Sequence, residues 1–392
     1  MTEATSATPA PDALAGVLAD APFVRLVATD DGDALAAAGL LARALRATGT
    51  PFQARVDTDP VPDDVDDGVA VAVGVDRGPH AIPGTGRPAS TAAFAVARAL
   101  GVEPDPVVAL AGVVAAGSIP GADGSGDALY AAERAGRVER RPGVALPVSG
   151  GSEPAPSRSE ALAASTLAST RYSGDPEAAR DALAPLGLPA DPDADDDDRR
   201  RFASLVAVDA VDGDEASERA ASAVERALRP YATDGPFATV GGYADVLDAL
   251  AREAPGTGVA LALASDPSPS LRTAALDAWR RHGLAAHRAL DAATVGRYDG
   301  CVVARVDASE AVLPTVARLV RDFRSPEPVA VALDEGAGRL AAAASEPIGL
   351  GDACRTAAGE VGGDGWGTPM RGHVSVDDGD ITAALAALRE AI

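Results

Sequence analysis

The chain has 392 residues, with 58 acidic side chains against 34 basic ones and a net charge of −24. Every basic residue is arginine and none is lysine, aromatics make up 3%, and the apolar fraction of 47% is ample for a buried core. The acids are spread along the whole chain rather than gathered for one cationic partner. They describe a carboxylate surface that stays hydrated at molar salt, where the screening length falls to ~3 Å. The chain therefore reads as a soluble, cytoplasmic protein of a high-salt organism. It holds no apolar run of the ~18 residues a membrane helix needs, and its acidic start does not resemble a signal peptide. Cys301 and Cys354 offer neither zinc spacing nor a disulfide framework. Cys301, within CVVARV, reads as a small buried hydrophobe. A length above the ~250–300 residues of one core implies two or three domains.

Residues 1–20 read as a tail or loose helix. FVRLVAT (23–29) reads as a strand, DDGD as an acidic turn, and the Ala/Leu-rich run to Ala47 as a helix. PFQARVD and GVAVAVGVD (68–76) read as the second and third strands. Strands alternating with helices argue for a parallel sheet. Two helices follow between Ala89 and Gly117, split at Glu103–Pro106, and a third covers 125–136. The Pro, Ser and Gly content of 145–160 marks a loop. DPDADDDD, before Arg199–Arg201, reads as a solvated loop entering a helix N-terminus. Further on, GVALALAS (258–265) reads as a strand and LRTAALDAWRRHGLAAHRALD as a helix. DGCVVARVDA, PVAVALDEG and GRLAAAAS read as strands around an amphipathic helix LPTVARLVRDFRS. A helix begins at 353–360, and the Gly-rich VGGDGWGTPMRG reads as a loop. A strand, HVSVDDG, and a helix over 380–391 close the chain. The fold class is α/β: a parallel-sheet N-terminal domain with a smaller C-terminal α/β domain. The expected boundaries are a 1–20 tail, a first domain over 21–170, a helical or mixed connection over 171–289, and a second domain over 290–392.

Asp30-Asp31-Gly32-Asp33 is the most informative segment. Open parallel sheets place ligands at the C-terminal ends of their strands, and carboxylates spaced D-x-D can converge on one Mn or Mg ion. Equally, Asp30 or Asp33 could cap the following helix, and the pattern leaves both readings open. GTGRPAST (84–91) lacks the ending of a phosphate loop and reads as a turn plus helix cap. His282 and His287, five apart, miss the i,i+4 spacing of a metal pair and read as surface residues. Trp279 reads as core; Trp366, between glycines, has a stronger claim to exposure.

The run VRLVATDDGDALAAAGLLARAL resembles the first motif of DHH-type phosphoesterases, especially the RecJ-like proteins of archaea. In that family a strand ends in H-x-D-x-D-G, and a helix rich in small residues follows. On this register Asp31 and Asp33 match the two metal-binding aspartates, Thr29 stands where the family has histidine, and Ala34 where it has glycine. PASTAAFAVARALGVEPDPVVALAGVVAAG resembles the helix pair after the DHH triad. TVARLVRDFRSPEPVAVALDEGAGRLAAAAS with GGDGWG resembles the C-terminal DHH-associated domain. That domain's G-G-G-H-type loop implies substrate contacts at Gly362, Gly363, Gly365 and Trp366. The resemblance covers 20–135 and 290–392.

The departures carry as much as the agreements. The second family motif falls on Asp76 or Gly74. The segment from Arg77 to Ala89 has no aspartate and one histidine, His80, where the triad should stand. Ala116-Gly117-Ser118 replaces the fourth aspartate, with Asp123 displaced from it. Trp366 occupies the place of the loop histidine, with His373 later. The family reaction is two-metal phosphodiester hydrolysis, which needs about four carboxylates and two or three histidines. Asp31, Asp33 and Asp76, with Asp30 beside them, are the remaining metal candidates, and no catalytic residue is assigned. The resemblance thus implies a degenerate site with at most one Mn or Mg ion. The expected role is a RecJ-like exonuclease homologue of DNA replication or repair that acts as a binding component. Its implied partners are single-stranded nucleic acid and GINS or replicative helicase subunits. An active single-strand exonuclease, or a nucleic-acid-binding module without chemistry, are the alternatives.

Overall fold

The computed structural model describes residues 11–60, 68–148, 156–188, 194–212, 217–377 and 380–392. In chain order, α1 is Pro11–Asp20, β1 Val24–Ala28, α2 Gly32–Thr48, β2 Phe52–Val56, β3 Val69–Gly74 and β4 Ala81–Pro83. Then come α3 Ala89–Ala99, α4 Pro106–Ala115, α5 Gly126–Arg134, β5 Val138–Arg140, α6 Arg158–Ala164 and α7 Pro176–Leu183. α8 is Asp196–Val211, α9 Arg219–Glu225, β6 Tyr231–Thr233, α10 Val240–Glu253, α11 Pro255–Leu263 and α12 Pro269–Asp291. The last third holds β7 Thr294–Tyr298, β8 Cys301–Arg305, α13 Leu313–Leu319, β9 Val329–Asp334 and β10 Arg339–Ala344. α14 Leu350–Val361, β11 Asp364–Thr368, β12 Arg371–Ser375 and α15 Ile381–Ala391 complete it.

The chain divides into two compact units: residues 1–140, 151–154 and 231–278, and residues 141–150, 155–230 and 279–392. The 171–289 segment, read above as a connection, is thus shared between the two.

In the first unit a parallel sheet runs β2-β1-β3-β4. β1 lies inside it, with Val24 opposite both Phe52 and Val69. The small side chains of α2 let it approach α3, α4, α10 and α11 closely. A Cβ added at Gly39 would stand 2.7 Å from Ala262 Cβ, and one at Gly32 would stand 2.8 Å from Ala115 Cβ. Residues 258–263, expected as a strand, belong instead to helix α11. Pro255 starts this helix, and its Ala and Leu residues are helix formers without a β-branched majority. Short apolar runs carry no period that tells strand from buried helix. Pro11–Asp20, expected within a tail or loose helix, is helical, with Leu14, Ala15 and Leu18 buried; residues 1–10 lie outside the described residues.

In the second unit a six-stranded sheet runs β11-β12-β10-β9-β8-β7, with β8 and β9 parallel and the other pairs antiparallel. Every second residue of β8, β9 and β10 joins one core with α14 and α15: Cys301, Val303, Val329, Val331, Leu333, Leu340 and Ala342 among them. The intervening Val302, Ala304, Ala330, Ala332 and Ala341 are buried too. Both faces are therefore covered, which is why these strands read as unbroken apolar runs. The Gly-rich stretch expected as a loop forms β11, paired to β12. Short strand β7 also lay unread in the sequence.

His282 and His287, expected at the surface, are 2% and 1% exposed. Trp279, His282, Gly283, Ala286, His287 and Leu290 follow the spacing of a buried helical stripe, and both histidines lie on it. His282 Nε2 pairs with Thr315 Oγ1 at 2.8 Å, and His287 Nε2 with the Ser165 carbonyl at 2.9 Å. Burial lowers the His287 pKa to about 4. Both cysteines are buried, and their thiols are pushed up to about 11 for Cys301 and about 12 for Cys354.

Candidate functional site

β1 ends at Ala28, and the chain turns through Thr29–Asp31 into α2. Thr29 N donates to the Val73 carbonyl of β3 at 2.9 Å, so the turn is tied to the sheet. Asp31 has extended backbone (φ −136°, ψ 158°) and is the N-cap of α2, its Oδ1 accepting from Ala34 N at 2.9 Å. Its Oδ2 accepts from the Thr29 hydroxyl. Gly32 N donates to Asp248 Oδ1 of α10 at 3.1 Å, and Asp248 Oδ2 accepts from Arg252 at 2.7 Å.

Asp33 also serves a helix end, though not that of its own helix. Its carboxyl accepts from Ala89 N at 2.6 Å and Ser90 N at 2.9 Å, the first donors of α3. Pro88 precedes that helix and has no side-chain acceptor to offer, so a residue 56 positions away supplies the cap. Asp33 is 4% exposed. Burial, with the Asp31 charge second, raises its pKa from 3.8 to about 7 against the pull of the two backbone donors.

The other candidates lie apart from this pair. Asp30 is half-buried and Asp76 is exposed beyond β3. Gly74, where the family motif has its alternative register, holds φ +93°, and a Cβ there would lie 2.1 Å from Thr29 Oγ1 and 2.8 Å from Ala34 Cβ. Thr29 and Ala34 thus fill the space behind the turn. Between β4 and α3, where the triad belongs, a Cβ added at Gly84 would fall 3.7 Å from Asp33 Oδ2. Among the described residues no group of three or more His, Cys, Asp or Glu is placed to hold a metal ion. The donor set does not fit a two-metal centre: the carboxylates of Asp31 and Asp33 are held toward helix N–H groups, and among the described residues no third ligand converges on them.

In the second unit, Gly362 ends α14 at φ +73°. A Cβ at Gly363 would meet the Ser375 carbonyl at 2.5 Å, and one at Gly365 the Cys354 carbonyl at 2.3 Å. Close approach to β12 therefore accounts for Gly363, and close packing on α14 for Gly365. Trp366 is half-buried and lies opposite His373 in the hairpin register, the two rings stacked at 5.4 Å and 3°. The hairpin brings the late histidine back to the tryptophan, which linear spacing did not reveal. Asp248 and Arg252, which complete the first site, also went unread. Their only local signal is a charged pair at i,i+4 on a largely buried helix.

Residues 293–390 match the family model described as uncharacterized protein rrnAC1427, C-terminal domain. The chain is similar to uncharacterized protein rrnAC1427 of Haloarcula marismortui, with 46% identity over 397 residues covering 100% of this chain and 98% of the relative. This haloarchaeal relative agrees with the high-salt reading of the composition. Among solved structures, CDC45 from Entamoeba histolytica superposes with a TM-score of 0.58 at 9% identity, covering 97% of this chain and 98% of that one. RecJ of Thermus thermophilus with Mn2+ has a TM-score of 0.52 at 15% identity, covering 99% of this chain, which spans only 55% of that protein. An exonuclease RecJ bound to manganese has a TM-score of 0.51 at 14% identity, covering 100% and 96% of the two chains. The fold is the one shared by these RecJ and CDC45 structures. Among the described residues no helix is long and apolar enough to cross a membrane.

Proposed function

As the chain belongs to the rrnAC1427 family and shares the fold of the RecJ and CDC45 structures, we propose that it is a non-hydrolytic component of DNA replication or repair, a RecJ homologue that binds rather than cuts. One observation carries this reading. The two aspartates that match the family's metal ligands are spent on helix ends, Asp31 on α2 and Asp33 on α3. A carboxylate that accepts backbone N–H bonds in a buried site holds a fold together. Those bonds use part of each carboxylate's acceptor capacity and hold it toward a helix end, and among the described residues no group of His, Cys, Asp or Glu joins them to hold a cation. The hydrolytic reaction needs charge placed on both the attacking and the leaving oxygen, and loss of one charge-stabilising group already costs ~10²–10³ in rate. On this reading the partners are GINS or helicase subunits, or single-stranded nucleic acid.

The test is an exonuclease assay on single-stranded DNA in molar KCl with Mn2+ added. The expected result is no release of nucleotides above buffer, and no effect of Asp31→Ala other than a loss of stability. Robust turnover abolished by Asp31→Ala overturns the reading. A pulldown at native salt after nuclease treatment then separates partners: recovery of GINS or helicase subunits supports protein docking.

A further inference from the structure

Among the described residues seven large apolar side chains are exposed, and α8 is the one element that carries two of them, Val208 at 54% and Val211 at 45%. Residues 202–211 of this helix read FASLVAVDAV, apolar at eight of ten positions. A helix that is apolar all round is ordinarily buried, yet in this stretch only Phe202, Val206 and Ala210 are. Those three lie four residues apart and form one stripe. On the opposite side Arg201, Leu205, Val208 and Asp212 follow steps of four, three and four, so helical geometry stacks them along one face. Ser204 and Val211 lie beside them. Leu205 is half-buried, and Arg201, Ser204 and Asp212 are exposed. The one acid inside the stretch, Asp209, lies off this face, its side chain 10% exposed and 3.4 Å from Arg171. Single apolar side chains are ordinary on a protein surface, whereas a contiguous stripe marks a contact surface.

We propose that this face of α8 pairs antiparallel with the same face of a second copy of the chain. A two-fold interface must be self-complementary, and the order of side chains along the stripe is. Turned end over end about a point between Val206 and Ala207, a second α8 sets its Val208 against Leu205 and its Asp212 against Arg201. Both ends of the pair then hold a guanidinium opposite a carboxylate, with the apolar side chains between them. A parallel pair would instead set Arg201 beside Arg201 and Asp212 beside Asp212. Arg201 already bonds to Asp198 of its own helix and to the Leu186 carbonyl at 3.0 Å, and a guanidinium with five N–H donors keeps others to reach across. At molar salt, where the screening length is ~3 Å, two copies of charge −24 do not repel at a distance. The stripe covers ~16 Å of helix and buries less than the ~800 Å² per partner of a standard interface. The dimer is therefore weak, with a dissociation constant on the order of 100 μM.

The experiment is sedimentation equilibrium of the full chain at about 20–500 μM in about 2 M KCl. The average mass is expected to rise from monomer toward dimer across that range, and Val208→Asp should hold it at monomer throughout. Arg201→Asp should weaken association about threefold or more, and Arg201→Asp combined with Asp212→Arg should restore it, because the swap rebuilds both cross-pairs. These positions are exposed, so the variants should fold as wild type, which circular dichroism verifies. A second readout does not depend on the charge variants. Both native cysteines are buried, so mild oxidation of Val208→Cys should give a disulfide-linked dimer. Val295→Cys, at a position 46% exposed on β7, should give none above background. A monomer at every concentration overturns the proposal, as does a dimer that Val208→Asp leaves intact. So does a charge swap that fails to restore association, or equal cross-linking at the two cysteine positions. A chain that stays monomeric, yet loses its protein partners from the pulldown in Val208→Asp, also overturns it and assigns the face to a different protein.

Discussion

Asp33→Asn isolates the cost of burying a carboxyl beside Asp31. Folding raises the Asp33 pKa from 3.8 to about 7, so between about pH 4 and pH 7 the folded chain holds a proton that the unfolded chain has released. Stability contributed by this group is fully present below the unfolded pKa and falls as pH rises through the folded one. At ~1.4 kcal/mol per pKa unit, a shift of about three units removes roughly 4 kcal/mol by about pH 8. Asparagine does not titrate and lacks that slope. It offers one acceptor where the carboxyl offers two to Ala89 N and Ser90 N, leaving one buried donor unpaired at about 1–3 kcal/mol. The variant should therefore be less stable than wild type near pH 4.5. The gap should close or reverse by about pH 8. Denaturation followed by circular dichroism in molar KCl gives the global value, and hydrogen exchange of the α2 and α3 peptides localises it. A wild-type-minus-variant difference constant to about 0.5 kcal/mol across that range would refute the reasoning, because it would place Asp33 among ordinary carboxylates.

The second unit should respond to pH in the opposite sense. His287, held near 4 by burial, is neutral when folded and takes up a proton when unfolded below about 6.5. Stability should thus fall by up to ~3 kcal/mol as pH drops from about 6.5 to 4, and His287→Gln should flatten that decline. Trp279 and Trp366 both lie in this unit, so tryptophan fluorescence reads it directly. Asp322 is buried among Arg226, Arg321 and Arg318, at 2.6, 2.6 and 3.9 Å, and these charges hold its carboxyl well below the usual range despite burial. Asp322→Ala should cost about 3–5 kcal/mol in a denaturant titration, because it strands buried guanidiniums. Gly283→Ala should destabilise despite the ~1 kcal/mol gain in helix propensity, since the new Cβ would lie 1.8 Å from the Ala164 carbonyl oxygen. Gly359→Ala, in α14 with nothing within 4 Å, should raise the melting temperature instead.

The first strand, the helix after it and the alternation that follows were legible because each is a local pattern: an apolar run, a turn of aspartates, a helix of small residues. Composition likewise reported the solvent, and the D-x-D spacing of Asp31 and Asp33 marked the place where a DHH-type site belongs. The cap of α2 was expected of Asp30 or Asp33, and Asp31 supplies it instead, its acceptor three residues from Ala34 N. Tertiary structure alone decided the role of Asp33, because the donors it serves lie 56 and 57 residues away. The same holds for Asp248, which receives Gly32 N across 216 residues, and for Gly365 of β11, whose neighbours are the backbone of α14. Residue type and spacing reveal what a side chain can do. Which of two uses is realised, metal ligand or helix cap, depends on the groups that packing brings to it from the rest of the chain.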